Sequence, residues 1–127
     1  MLIISPNPVQ SHYKHVKREA KKRGEVTLLG YRIRNVVQLL EGSNRMAAAI
    51  ELGLPITINI PDDDHMIMWH DIDYVTSKYT DDTHHAAVYE VALNIAFDDE
   101  RIALDYPIYD TKDYPNVRVM ENGKQVN

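Results

Sequence analysis

The feature that most constrains the fold is one continuous stretch, NVVQLLEGSNRMAAAIELGLPITINIP, at residues 35–61. It opens with an apolar run rich in β-branched residues, which is typical of a buried strand. An alanine-rich segment with apolar residues at helical spacing follows and stops at Gly53, and a second β-branched run ends at Pro61. This order predicts a strand, a helix and a strand, which normally form a right-handed crossover with the two strands parallel.

The residues before this stretch predict two more strands and a second helix. The segments MLIIS at 1–5 and VTLLGYRI at 26–33 have the composition of strands. Between them, SHYKHVKREAKKRG at 11–24 places apolar residues at helical spacing. We expect Ser11 to cap this helix at its N terminus and Gly24 to end it.

The second half of the chain carries a weaker pattern. Apolar residues keep helical spacing in the second part of residues 62–79 and again in residues 83–97. The closing segment PNVRVMENGKQVN predicts a hairpin around Asn122 and Gly123, whose residue types tolerate positive φ, or else a frayed tail. The chain therefore reads as α+β, with a small mixed sheet and helices followed by a mostly helical, acidic C-terminal half.

Length and composition set outer limits on the class of protein. The 127 residues suit one domain with one modest core. No apolar run approaches the roughly 20 residues needed to cross a bilayer. The absence of cysteine excludes disulfides, thiolate catalysis and zinc–thiolate sites. We expect a cytoplasmic single domain over 1–127, with a core in 1–61 and an acidic extension, 62–127, packed on it.

Charge is distributed unevenly between the two halves. Residues 1–61 hold nine Lys and Arg against four acids, whereas residues 62–127 hold five against fifteen. Such segregation can steer an anion to one face, or it can leave two solvated faces. Six of the basic residues lie in the helix at 14–23, which can contact nucleic acid phosphates. We do not favour nucleic acid as partner, because only Tyr13 could stack on a base and the acidic half opposes duplex binding.

The turn before the alanine-rich helix has the composition of an anion site. It consists of Gly42, Ser43, Asn44 and Arg45. The first turn of a helix leaves backbone N–H groups without partners and carries partial positive charge. Gly42 removes a Cβ that would block a close approach, and Arg45 can add a two-pronged contact to a phosphate. Ser43 or Asn44 can cap the helix or donate to a phosphate oxygen. The turn is therefore either a phosphate site or a plain strand-to-helix turn capped by Ser43.

Two stretches together resemble the ParB/sulfiredoxin superfamily. The segment VVQLLEGSNRMAAAIELGLPITINI, at 36–60, has that family's strand, Gly-x-x-Arg turn, alanine-rich helix and strand. The segment ISPNPVQ, at 4–10, resembles the family's Asn-Pro-x-Gln opening through Asn7, Pro8 and Gln10. The order and the approximate spacing of both pieces agree with the family pattern.

The resemblance covers about residues 2–61, which is roughly half of the chain. It implies a ParB/sulfiredoxin-like fold in which the turn at 42–45 holds the phosphates of ATP or CTP with Mg²⁺. It also implies that the basic helix at 14–23 forms one wall of the nucleotide pocket. Sulfiredoxin chemistry is excluded, because that reaction needs a cysteine in the turn and this chain has none.

Turnover would need further groups that the sequence identifies only weakly. The family's CTP-hydrolysing members carry a following helix-turn-helix DNA-binding domain, and we expect none of normal size within residues 62–127. A phosphotransferase needs a carboxylate that activates its substrate's hydroxyl. Glu19, Glu25 and Glu41 are the nearby acids in the matching half, and we take Glu41 and Glu19 as the catalytic candidates.

Histidines and aspartates in the second half raise the question of a metal site. His70 and Asp73 are three residues apart, which is workable ligand spacing on a helix. No strict metal motif such as H-E-x-x-H accompanies them or the nearby histidines. Those histidines are His65, His84 and His85. We predict no metal site of the protein itself, and we assign the acidic run at 62–64 to a helix N terminus rather than to Mg²⁺.

Two classes of function follow from the sequence. The first is a small nucleotide-binding protein with a phosphate-binding turn at 42–45 and associated hydrolysis or phosphotransfer. The alternative is a non-enzymatic protein- or DNA-interaction module, such as a regulator or a phage or mobile-element protein. This module would keep the fold and bind a protein partner through its acidic, tyrosine-containing half.

Overall fold

A computed structural model describes residues 1–40, 42–61, 92, 94–97 and 106–127. These residues form a mixed α+β structure, as predicted. The helices and strands have these bounds: β1 Leu2–Ile4, α1 Gln10–Arg23, β2 Val26–Ile33, β3 Val36–Leu39, α2 Ser43–Leu52, β4 Ile56–Ile60, β5 Ile108–Asp110, β6 Val117–Glu121 and β7 Lys124–Gln125. Residues 92 and 94–97 are also helical.

The seven strands of the described residues form one sheet in the order β5-β1-β3-β2-β4-β6-β7. β2 pairs antiparallel with β3 and parallel with β4, so β3 and β4 run in opposite directions with β2 between them. The predicted parallel crossover is therefore wrong. β2 and β3 are joined by a tight connection in which Arg34 takes a positive φ of 53°. This hairpin places β2, and not β4, beside β3.

Helices cover both faces of the sheet. On one face, α1 and α2 bury Ala20, Met46 and Ala49 against the strands. On the other, the helical residues Ala92 and Ile95 pack against strand residues around β1 and β3. Successive strand residues point to opposite faces, so neighbouring apolar positions such as those of β3 supply both cores.

The described part of the second half contributes strands to this sheet. β5 pairs antiparallel with β1, and β6 pairs parallel with β4. The expected mostly helical character is not confirmed here, and β5 was not predicted. The terminal hairpin is confirmed: β6 and β7 pair antiparallel, with Asn122 at φ 54° and Gly123 at φ 76°.

Some predictions lie outside the described residues. They concern the helix in residues 62–79, most of the helix in residues 83–97, the acidic run at 62–64, Glu41, His65, His70, Asp73, His84 and His85. Among the residues that the structure describes, no helix is long and apolar enough to cross a membrane.

Candidate functional site

α2 begins directly after Gly42, which lies in a left-handed conformation with φ 82°. A Cβ added there would lie 2.5 Å from Leu28 Cδ2 and 3.0 Å from Arg45 Nη2. A left-handed φ disfavours residues that carry a Cβ, and the space that a Cβ needs is already filled. The close approach predicted for Gly42 is therefore made, in this structure, by the chain's own Leu28 and Arg45.

No side chain caps the N terminus of α2. The N–H of Met46 donates to the carbonyl oxygen of Gly42 at 2.8 Å, which is the first hydrogen bond of the helix. The N–H groups of the three residues before Met46 consequently have no acceptor within the helix. The interpretation that Ser43 caps this helix is wrong, since Ser43 is the first helical residue and Gly42 takes the cap position.

Asn44 connects the beginnings of the two helices. Its Oδ1 accepts a hydrogen bond from the N–H of Val9 at 2.7 Å, and its Nδ2 donates to the carbonyl oxygen of Val9 at 3.3 Å. Val9 is the N-cap residue of α1, and α1 starts at Gln10. The predicted Ser11 cap is therefore wrong, because α1 begins one residue before Ser11 and places it inside the first turn.

Arg45 lies in the first turn of α2, as predicted, and is half-buried. Its Nη1 donates to the carbonyl oxygen of Thr27 at the start of β2, at 3.2 Å. The guanidinium also lies beside Gly42, where Nη2 and Nε are the nearest side-chain nitrogens to the missing Cβ. These contacts hold the charged group at the helix N terminus, where the helix dipole adds partial positive charge of the same sign.

A cleft of about 780 Å³ opens beside this turn. This volume is within the roughly 300–1,000 Å³ of small-molecule sites. The α1 residues in its lining are His15, Val16, Glu19, Ala20 and Arg23. The segment entering β2 contributes Glu25, Val26 and Thr27, and all four residues of the 42–45 turn complete the lining. α1 thus forms one wall of the cleft. That this cleft is a nucleotide pocket stays a prediction.

The cleft combines positive and negative groups from three parts of the chain. Arg23 and Arg45 are its permanent cations, and Glu19 and Glu25 are its carboxylates. The carboxylate of Glu19 lies 3.8 Å from Lys22 Nζ, an exposed pair one turn apart on α1. Glu19 and Glu25, two of the three acids singled out from the sequence, therefore lie in the cleft, and the third is outside the described residues.

The sequence predicted the helix at 14–23 as a wall of the pocket but did not single out its polar cleft residues His15 and Arg23. The signal that identifies them is their spacing, because His15, Glu19 and Arg23 follow one another at intervals of four along α1. Residues four apart lie on the same helix face. Periodicity of the apolar residues indicates the buried face of α1, and the same periodicity in polar residues identifies the face that lines the cleft.

A polar cluster fixes the far end of α2 to α1. The Glu51 carboxylate accepts hydrogen bonds from the Tyr13 hydroxyl and from Lys17 Nζ, the latter at 2.7 Å. Burial, with the nearby Glu51, raises the pKa of Tyr13 to about 12. The Lys17 ammonium, followed by the Tyr13 hydroxyl, lowers the pKa of Glu51. With the Asn44–Val9 pair, this cluster holds α1 against α2 at two points and so sets the position of the cleft wall.

The described residues contain no group of three or more histidine, aspartate or glutamate side chains arranged to hold a metal ion. Comparison of the chain with protein-family models, with curated proteins and with solved structures found no match. The function is therefore argued from the cleft and the residues that line it.

Proposed function

We propose that this chain binds a nucleoside triphosphate in the cleft between α1 and the start of α2, with the phosphates against the 42–45 turn. The observation that carries the proposal is that α2 begins in this cleft without a side-chain cap and with the Arg45 guanidinium beside it. Backbone N–H groups at a helix N terminus bind phosphate oxygens, and an arginine adds charge-assisted hydrogen bonds.

The rest of the cleft suits the remainder of a nucleotide. Val16, Ala20 and Val26 supply apolar lining for a base or ribose, and Arg23 supplies a second cation from α1. Mg²⁺ in nucleotide sites is usually held by the phosphates with one or two carboxylates. Glu25 is the carboxylate of the cleft that would take this role for MgATP or MgCTP.

Hydrolysis or phosphotransfer is a separate hypothesis that depends on this binding. Glu19 is the described acid that we assign to orient or deprotonate the attacking hydroxyl or water, because it lies in the cleft and was identified from the sequence. If so, Glu19→Gln removes turnover while the nucleotide still stabilises the protein. A release of inorganic phosphate that is equal in Glu19→Gln and in the native chain would show that Glu19 has no such role.

Thermal unfolding with ATP, CTP, GTP and UTP, with and without Mg²⁺, tests the binding. A ligand at about 100 times its dissociation constant stabilises the folded state by roughly 2.7 kcal/mol, which raises the Tm by roughly 10 °C in a domain of this size. We expect one nucleotide to give such a shift. We expect Mg²⁺ to enlarge it, since two carboxylates line the cleft.

Variants of Arg45 separate the phosphate contact from the fold. Arg45→Ala should abolish the ligand-induced shift, and Arg45→Lys, which keeps the charge, should retain part of it. Arg118→Ala is the matched control, because Arg118 is exposed on β6 and does not line the cleft. If no nucleotide moves the native Tm, the proposal is wrong. Binding of a protein partner that persists in Arg45→Ala would then favour the interaction module.

A further inference from the structure

α1 carries a stripe of cations on the side that faces solvent. Lys14, Arg18 and Lys21 are all exposed, and their spacing of four and three residues places them along one face over two turns. We call these three residues the basic face. Ala20 is buried about a third of a turn away around the helix, on the side where Tyr13 is half-buried beside α2.

Within the described part of the chain, the basic face does not balance charge in the fold. Among the described residues, Lys14, Arg18 and Lys21 form no ion pair, whereas Lys17 is paired with Glu51 and Lys22 lies near Glu19. Like charges three and four residues apart destabilise a helix. Lys14 and Arg18 therefore repel each other on this face, whereas Lys21 lies in the last turn, where the helix dipole favours a cation. A polyanionic partner would compensate this repulsion.

We propose that the basic face binds the phosphate backbone of duplex DNA. Tyr13 is half-buried beside α2 and does not belong to the basic face, so the face offers no aromatic ring on which an unpaired base could stack. Contacts to phosphates alone position a protein on a duplex without reading its sequence. The basic face is also distinct from the cleft, since none of its three residues lines the cleft, and the proposal does not depend on nucleotide binding.

The overall charge of −5 opposes this local contact only through acidic groups that lie within about a Debye length of it. Exposed charges more than about 8 Å apart are largely screened at 0.15 M ionic strength. The charges that face the duplex therefore decide binding, and the position of the stripe matters more than the sum over the chain. The acidic half therefore opposes duplex binding less than the sum of its charges suggests.

The test is fluorescence anisotropy with a labelled mixed-sequence DNA duplex over a range of salt concentrations. Three phosphate contacts predict a slope of about −2.7 in log K against log salt, so that raising salt from 50 to 200 mM weakens binding by about 40-fold. Because the contacts are to the backbone, a second duplex of unrelated sequence should bind with the same affinity and slope.

Two matched double variants assign the contact to α1. Lys14→Ala with Lys21→Ala removes two cations of the basic face, and Lys112→Ala with Lys124→Ala removes two exposed lysines elsewhere. We expect the first pair to make the slope less negative by about 1.8 and to weaken binding at 50 mM salt by at least about 10-fold. The second pair should change neither. Alanine is the best helix former, so the first pair should fold, which circular dichroism checks.

Three results would overturn the proposal. They are no binding of the duplex at 50 mM salt, equal effects of the two double variants, and tighter binding of a polyglutamate peptide than of the duplex at the same ionic strength. The last result would assign the basic face to an acidic protein partner instead of DNA.

Discussion

Gly42 is the residue on which the shape of the turn depends most directly. It combines a positive φ with a close approach of the Leu28 side chain, which is itself buried. Gly24, Gly53 and Gly123 share only the positive φ. Gly53, which ends α2, has φ 67°, and no atom lies within 4 Å of the position that a Cβ would take there. Comparison of Gly42, at the start of α2, with Gly53, at its end, therefore distinguishes the cost of a positive φ from the cost of close packing.

We predict that Gly42→Ala destabilises the protein more than Gly53→Ala does. The left-handed backbone costs about 1–2 kcal/mol at either position, and displacement of Leu28 adds about 1–2 kcal/mol at Gly42 only. Urea unfolding of both variants measures the difference. Equal losses of unfolding free energy would show that the close approach of Leu28 and Arg45 adds nothing to the cost of a side chain at residue 42.

Asn44 shows how a residue's role can lie outside its own element. Its amide makes two hydrogen bonds to the backbone of Val9, the N-cap residue of α1. From the sequence, an asparagine at this point predicts a cap for the helix it begins. In the structure its amide bonds instead to the residue that precedes the other helix, α1. This contact joins the two stretches that carried the family resemblance.

At the scale of elements, α1 is held mainly by polar contacts. Ala20 is its buried residue, and most of its other side chains are polar or charged. The hydrogen bonds of Glu51 with Tyr13 and Lys17 join the middle of α1 to the last turn of α2. The packing of these two helices should therefore depend on pH more than a purely apolar contact would.

We predict that the stability contributed by Tyr13 is lost in alkali. The pKa of Tyr13 is raised from 10.0 to about 12 in the folded state, so its contribution is fully present below pH 10 and is lost as pH rises through 12. Unfolding free energies of the native chain and Tyr13→Phe, measured from pH 8 to 12, should differ most below pH 10 and converge above it. A difference that stays constant over this range would contradict the raised pKa.

At the scale of the whole molecule, the two halves of the chain share one sheet. β6 pairs with β4 along five residues, and Val117 and Val119 are buried in the same core as Ile56 and Ile58. Arg32 on β2 and Glu121 on β6 form an ion pair at 2.9 Å across 89 residues of sequence. The first half therefore depends on strands from the end of the chain to cover β4.

We predict that Val119→Ala lowers the unfolding free energy by about 2 kcal/mol, because the side chain is fully buried and its removal leaves a cavity. Arg118→Ala, one residue away on the exposed face, should cost about 0.5 kcal/mol despite its contact with Thr57. Chemical denaturation of both variants tests this. Similar small losses would mean that β6 does not contribute to the core of the first half.

Local signals were sufficient for the elements of the first half. β2 has the predicted bounds, α1 ends before Gly24 as expected, and α2 ends before Gly53. The terminal hairpin was also recognised from Asn122 and Gly123. These features depend on periodicity and on φ preferences, which are properties of a few neighbouring residues. β5 was missed because three residues beside a proline carry too little pattern to predict a strand.

Strand order and the assembly of the cleft were decided by the tertiary structure. The position of β2 between β3 and β4, the bond from Asn44 to Val9, and the meeting of α1 with the 42–45 turn all join residues far apart in sequence. Propensity and periodicity describe the local chain and contain no information about which distant backbone group will need a partner. The sequence alone was therefore enough to find the turn and its residue types, whereas only packing determined that His15, Glu19 and Arg23 face it across one cleft.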